Sequence, residues 1–113
     1  MPSLPNYLRS KRKQSSYSQE EVAFLLGLKG MDKGGKVSRD ENYSRIPTLE
    51  SALAYEAIYG KPIRELFAGL YEQIAQDVSS RAKFLSYRKS ETPDPKKQQA
   101  LLELALRYSK AAV

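Results

Sequence analysis

The chain has 113 residues, 41% of them hydrophobic, and carries 19 Lys and Arg against 13 Asp and Glu, for a formal net charge of +6. That length suits one domain with an appendage, and the apolar share suits one modest core. The absence of Cys and His excludes thiol nucleophiles, imidazole bases, disulfide frameworks and the usual zinc and haem ligand sets.

No apolar run approaches the length of a membrane span, and the N-terminal residues lack a signal-peptide core, so no membrane partner and a cytoplasmic setting are expected. The positive charge is uneven. Residues 1–48 hold nine Lys/Arg against five Asp/Glu, whereas residues 49–88 balance at five against five. A basic excess favours an anionic partner and is also common among proteins with none.

In chain order, Asn6 is a candidate cap for a first helix in which Leu8 faces inward and Lys11-Arg12-Lys13 outward. The basic cluster reads equally as a solvated face or as a phosphate contact. Ser18-Gln19-Glu20-Glu21 has the spacing of a capping box, in which the Ser18 hydroxyl and Glu21 carboxylate each accept from a backbone N–H. Tyr17 is placed to staple onto Val22. The expected buried stripe is Val22, Leu25 and Leu26, with Ala23 allowing a close helix crossing and Gly27 ending the helix. Leu28–Lys36 then holds three glycines and three lysines, the composition of a basic loop. A third helix resumes near Val37, with Asp32 as a candidate cap, and ends before Ile46-Pro47.

Thr48 caps a fourth helix with Leu49, Ala52, Leu53, Ala57 and Ile58 as its apolar positions, closed at Gly60. Pro62 opens the next helix, whose apolar residues Ile63, Leu66, Phe67, Leu70, Ile74 and Val78 keep helical spacing toward Leu85. Ser90–Pro95 is a break. Asp94 and Pro95 restart a last helix with a broad apolar face of Leu101, Leu104, Ala105 and Tyr108. No hairpin signal and no internal repeat is present, so the expected class is all-α.

No enzymatic constellation emerges. Glu20-Glu21 is explained by capping and the helix macrodipole, and neither that pair nor Asp40-Glu41 calls for acid–base or metal chemistry. Gly30–Lys36 lacks the Gly-Lys-Ser/Thr ending and preceding strand of a phosphate loop. Tyr55, Tyr59 and Tyr71 read as core or interface residues rather than base-stacking platforms. No enzyme activity, cofactor or metal is expected.

The ordered set Leu8-Arg9-x-x-Arg12, Tyr17-Ser18-Gln19-Glu20-Glu21-Val22-Ala23-x-Leu25-Leu26-Gly27, Val37-Ser38-Arg39-x-Glu41, Pro47-x-Leu49 and Gly60-x-Pro62-Ile63-x-Glu65-Leu66-Phe67 resembles the lambda-repressor-like, or xenobiotic-response-element-type, helix-turn-helix regulators. The resemblance covers residues 6–70. It implies an all-α, five-helix DNA-binding domain over 1–70, with an extended last helix and an additional C-terminal helix over 71–113. It also implies sequence-specific binding of double-stranded DNA as a regulator, in the first place a repressor occupying its operator.

By position, the resemblance gives Gln19 a phosphate, Ser38 and Arg39 places on the recognition helix, and Asn42 and Arg45 the region where the chain leaves the groove. Arg39 suits guanine O6 and N7. Lys33 and Lys36 of the loop join as phosphate or base contacts. Arg12 is expected to pair with Glu41 rather than touch DNA. Two departures stand out: nine residues, Leu28–Lys36, separate the Leu-Gly and Val-Ser steps, more than the family's turn, and Tyr43 stands where the family has glycine. The segment 62–113 has two readings: a cover for the domain, or an exchange between chains that makes a homodimer. An alternative function is a protein-interaction module, such as an antitoxin, whose residues 93–113 bind a partner protein.

Overall fold

The computed structural model describes residues 6–28, 34–88 and 94–108. Among these residues the chain is all-helical, and it divides into two compact units, Met1–Leu70 and Tyr71–Val113. The first contains α1 (Leu8–Ser15), α2 (Gln19–Leu25), α3 (Gly35–Glu41), α4 (Leu49–Tyr59) and α5 (Ile63–Leu66). The unit boundary falls inside α6 (Ala68–Tyr87), and α7 (Pro95–Arg107) completes the second.

Local chemistry sets most of the helix ends. The Leu8 N–H donates to Asn6 Oδ1 at 3.0 Å. At α2 the capping box is complete: the Glu21 N–H donates to Ser18 Oγ at 3.0 Å and the Ser18 N–H donates to Glu21 Oε1 at 2.8 Å. Thr48 Oγ1 accepts from the Ser51 N–H at 3.2 Å. Gly27 and Gly60 take left-handed φ of 81° and 68° beyond α2 and at the end of α4.

The core of the first unit is Leu8, Val22, Ala23, Val37, Tyr55, Leu66 and Phe67, with Leu26, Ala52, Ile58, Tyr59, Ile63 and Leu70 packed against it. Two expected stripes differ. Leu25 is 47% exposed while Ala23 is buried, because α2 turns its Val22-Ala23-Leu26 side to the core. On α4 the inward face is Ala52, Tyr55, Ile58 and Tyr59, at spacings of three and four. Leu49, 72% exposed, and Leu53 stand outside it. Tyr55 stacks on Tyr59 at 6.2 Å between ring centroids and meets Phe67 edge-on at 6.4 Å.

The run from Pro62 is not one continuous helix. Pro62 is the cap of the short α5, and Phe67 at φ −118°, ψ 45° interrupts the backbone before α6. Leu66 and Phe67 are consecutive, and both are buried.

In the second unit α6 and α7 run antiparallel. The Ser79 hydroxyl donates to the Ala105 carbonyl at 2.6 Å, Gln98 Nε2 donates to the Ser86 carbonyl at 3.1 Å, and the Tyr71 and Tyr108 hydroxyls lie 3.3 Å apart. The small residues Ala75, Ser79, Ala82 and Ala105 are buried, which allows close backbone approach. Asp94 caps α7 through Oδ1, which accepts from the Lys96 N–H at 3.0 Å, and Pro95 occupies the first turn.

Candidate nucleic-acid interface

α3 is the element around which the polar groups of the first unit gather. It begins at Gly34, whose φ of +100° is left-handed, a conformation that side chains with a Cβ rarely adopt. Space enforces glycine as well. An added Cβ would sit 3.0 Å from the Gln19 carbonyl carbon and 3.1 Å from both Gln19 Cβ and the Glu20 nitrogen. The start of α3 therefore rests directly on the first turn of α2.

Val37, Asp40 and Glu41, at spacings of three and one, form the buried face of α3. Two of the three are carboxylates, and burying a charge is costly unless it is paired. Both are paired. Glu41 Oε2 accepts from Arg12 Nε at 2.7 Å, and its Oε1 accepts from Arg12 NH2 and from Gln19 Nε2, each at 3.2 Å. Hydrogen bonding to Glu41 raises the Arg12 pKa above its ordinary value. Arg12 NH1 also donates to the Tyr17 carbonyl at 3.0 Å, so one guanidinium joins α1, the entry to α2 and α3.

Asp40, 1% exposed, is held from three sides. Its Oδ1 accepts from Arg45 Nε at 2.5 Å and its Oδ2 accepts from the Tyr55 hydroxyl at 2.7 Å. Its carbonyl accepts from Asn6 Nδ2 at 2.9 Å. Burial first, then the hydrogen bond to Asp40, pushes the Tyr55 pKa far above its ordinary value, so the hydroxyl remains the donor. Tyr59 is different. Its hydroxyl is buried without a hydrogen-bond partner among the described residues, and burial followed by the negative charge of Glu41 pushes its pKa up to about 12.

With its acids turned inward, α3 carries Lys36, Ser38 and Arg39 outside its buried face. Lys36 and Arg39 are three apart and share a side of the helix, and Arg39 and Asn42 repeat that spacing. Arg39 is exposed in the last turn; Lys36 and Ser38 are half-buried. Asn42 ends the helix, and its Oδ1 accepts from the Ser44 N–H at 3.1 Å. Tyr43 follows at φ +68°, left-handed without being glycine.

The structure thus brings Gln19 to the buried edge of α3 through Glu41, places Lys36, Ser38, Arg39 and Asn42 along α3 and its end, and engages Arg45 with Asp40. Lys33 and the candidate cap Asp32 lie outside the described residues. The Arg12–Glu41 pair expected from the resemblance is formed. Sequence reasoning missed Asp40 as an organiser. Its one signal was its place three residues after Val37, on the face that an apolar residue would take.

Among the described residues no group of three or more acidic side chains is arranged to hold a metal ion, and no helix is long and apolar enough to cross a membrane. Comparison of the chain with family models, curated proteins and solved structures finds no match to any of them.

Proposed function

We propose that this chain is a sequence-specific DNA-binding transcriptional regulator of the lambda-repressor-like class, with α2 and α3 as its helix-turn-helix pair and operator occupancy as its mode of repression. The observation that carries the reading is the division of α3. Its inner face is locked by paired carboxylates, and its outer side holds Lys36, Ser38 and Arg39, a cationic and hydrogen-bonding set suited to a major groove. Base reading falls to Arg39 with Ser38 and Lys36. Phosphate contact falls to Gln19 at the N-terminus of α2, to Asn42 and Arg45, and to the loop lysines, Lys33 among them.

The active species in this reading is a homodimer joined through residues 71–113. Support comes from Ile74, Phe84, Leu85, Leu102 and Leu106, large apolar residues left exposed on α6 and α7. A second reading, an interaction module such as an antitoxin, draws on the same exposed leucines of α7 as a seat for a partner protein. Selection of bound sequences from a random duplex library separates the two. A palindromic consensus with half-sites about one helical turn apart supports the dimeric regulator. No enriched sequence overturns it and favours the interaction module.

A further inference from the structure

Asp40 is a charged residue in a position of α3 where an apolar one would complete the core, flanked by Val37 and buried to 1%. A carboxylate there needs compensation, and the structure supplies an uneven one. Tyr55, wholly buried on α4, donates to Oδ2, while Arg45 donates to Oδ1 through Nε alone. The Arg45 side chain, beyond the end of α3, is 32% exposed, unlike the carboxylate that holds it. Its two terminal nitrogens make no hydrogen bond to other described residues. An arginine held at Nε keeps its planar fork in one orientation and leaves both terminal NH2 groups to donate outward.

We propose that Asp40, fixed by the Tyr55 hydroxyl, is a positioning residue that grips Arg45 and aims its terminal NH2 groups at a DNA phosphate flanking the groove entered by α3. This rests on the DNA-binding reading above and adds to it a buried polar chain, Tyr55 to Asp40 to Arg45, that connects α4 to the phosphate contact. The grip reduces the net attraction of the arginine for anions and gains orientation, because the fork needs no ordering on binding. Lysine cannot replace arginine here: one ammonium cannot occupy the Asp40 oxygen and present a fork to phosphate.

The test is titration of the full chain with a short mixed-sequence DNA duplex across a salt series, since phosphate contacts are independent of sequence. Three variants are compared: Arg45→Ala, Arg45→Lys, and the double variant Asp40→Leu/Tyr55→Phe. The double variant removes both partners of the buried bond, so no hydroxyl is left unpaired. Arg45→Ala is expected to weaken binding about tenfold and to flatten the salt slope by about one counterion. Arg45→Lys is expected to weaken binding nearly as much. Asp40→Leu/Tyr55→Phe is expected to match Arg45→Ala within about twofold, with no further loss when Arg45→Ala is added to it.

Wild-type affinity in Arg45→Lys overturns the proposal, as does wild-type or tighter binding in a folded Asp40→Leu/Tyr55→Phe protein. If the double variant does not fold, Arg45→Lys decides alone. A wild-type chain that binds no duplex at any salt overturns this proposal and the DNA-binding reading together. Wild-type binding with indifferent Arg45 variants overturns this proposal only.

Discussion

Arg12 of α1 and Glu41 of α3 form a two-point ion pair, Nε to Oε2 at 2.7 Å and NH2 to Oε1 at 3.2 Å, across 29 positions of sequence. The geometry is that of a guanidinium fork on a carboxylate, and both side chains are largely withdrawn from water. Gln19 adds a third donor to the same carboxylate. Three helices are therefore registered by one acid. Removing one partner of a buried pair leaves the other uncompensated, at a cost of about 3 kcal/mol. Glu41→Ala should lower the unfolding free energy by about that amount in a denaturant titration. A loss below about 1 kcal/mol, the level of exposed pairs, would show that the pair does not organise the domain.

Gly34 makes a second prediction. Gly34→Ala must place a methyl 3.0 Å from the Gln19 carbonyl carbon while holding φ at +100°. Backbone cannot yield as a long side chain can, so the expected cost is about 1–3 kcal/mol. Gly60→Ala is the control: its Cβ would meet nothing within 4 Å, and its strain is that of φ alone. Equal melting temperatures for the two variants would contradict the packing of α3 on α2.

Tyr43 holds a left-handed φ of 68° with a Cβ. Relief of that strain by Tyr43→Gly is worth about 1 kcal/mol, offset in part by the extra freedom of glycine in the unfolded chain. The variant should melt higher than wild type, or no lower. A clear drop in melting temperature would show that the half-exposed ring contributes more packing than its backbone costs.

The tyrosines set an alkaline limit. Tyr55 and Tyr59 both have folded pKa values raised above the ordinary value of about 10, Tyr59 to about 12. A raised folded pKa means that the stabilisation is fully present below about pH 10 and is lost as pH rises through the folded value. Stability should therefore be insensitive to these groups near neutral pH and fall above about pH 10. Tyr59→Phe removes a buried hydroxyl that has no partner among the described residues, so it should be neutral or stabilising by up to about 1 kcal/mol and should soften the alkaline fall. Tyrosinate absorbance measured beside thermal unfolding checks both. A variant destabilised at pH 7 would show that the Tyr59 hydroxyl is satisfied in solution.

The parts of this architecture legible from sequence are those decided by near neighbours. Ser18 with Glu21, Thr48 with Ser51 and Asp94 with Lys96 act within three residues, so their spacing alone announces each helix start. The parts that were not legible depend on distant partners. Leu25, Leu49 and Leu53 are as apolar as residues that are buried, and only the choice of Tyr55 for the inner face of α4 turns the two α4 leucines outward. The interruption at Phe67 hides in an unbroken apolar period. The role of Asp40 emerges only when Arg45, Tyr55 and Asn6 are brought to it. Glu41 was legible only through the family resemblance, which supplied Arg12 as its partner.

The central claim, that the outer side of α3 reads DNA, is tested most directly by base discrimination in Arg39→Ala. The measurement is the affinity of wild type and variant for the selected duplex and for each single base-pair change in it. The account predicts that Arg39→Ala loses about 1–3 kcal/mol on the selected site and loses preference at one position per half-site, keeping the others. A variant that binds more weakly yet discriminates at every position as wild type does, or one that is unchanged, would contradict it.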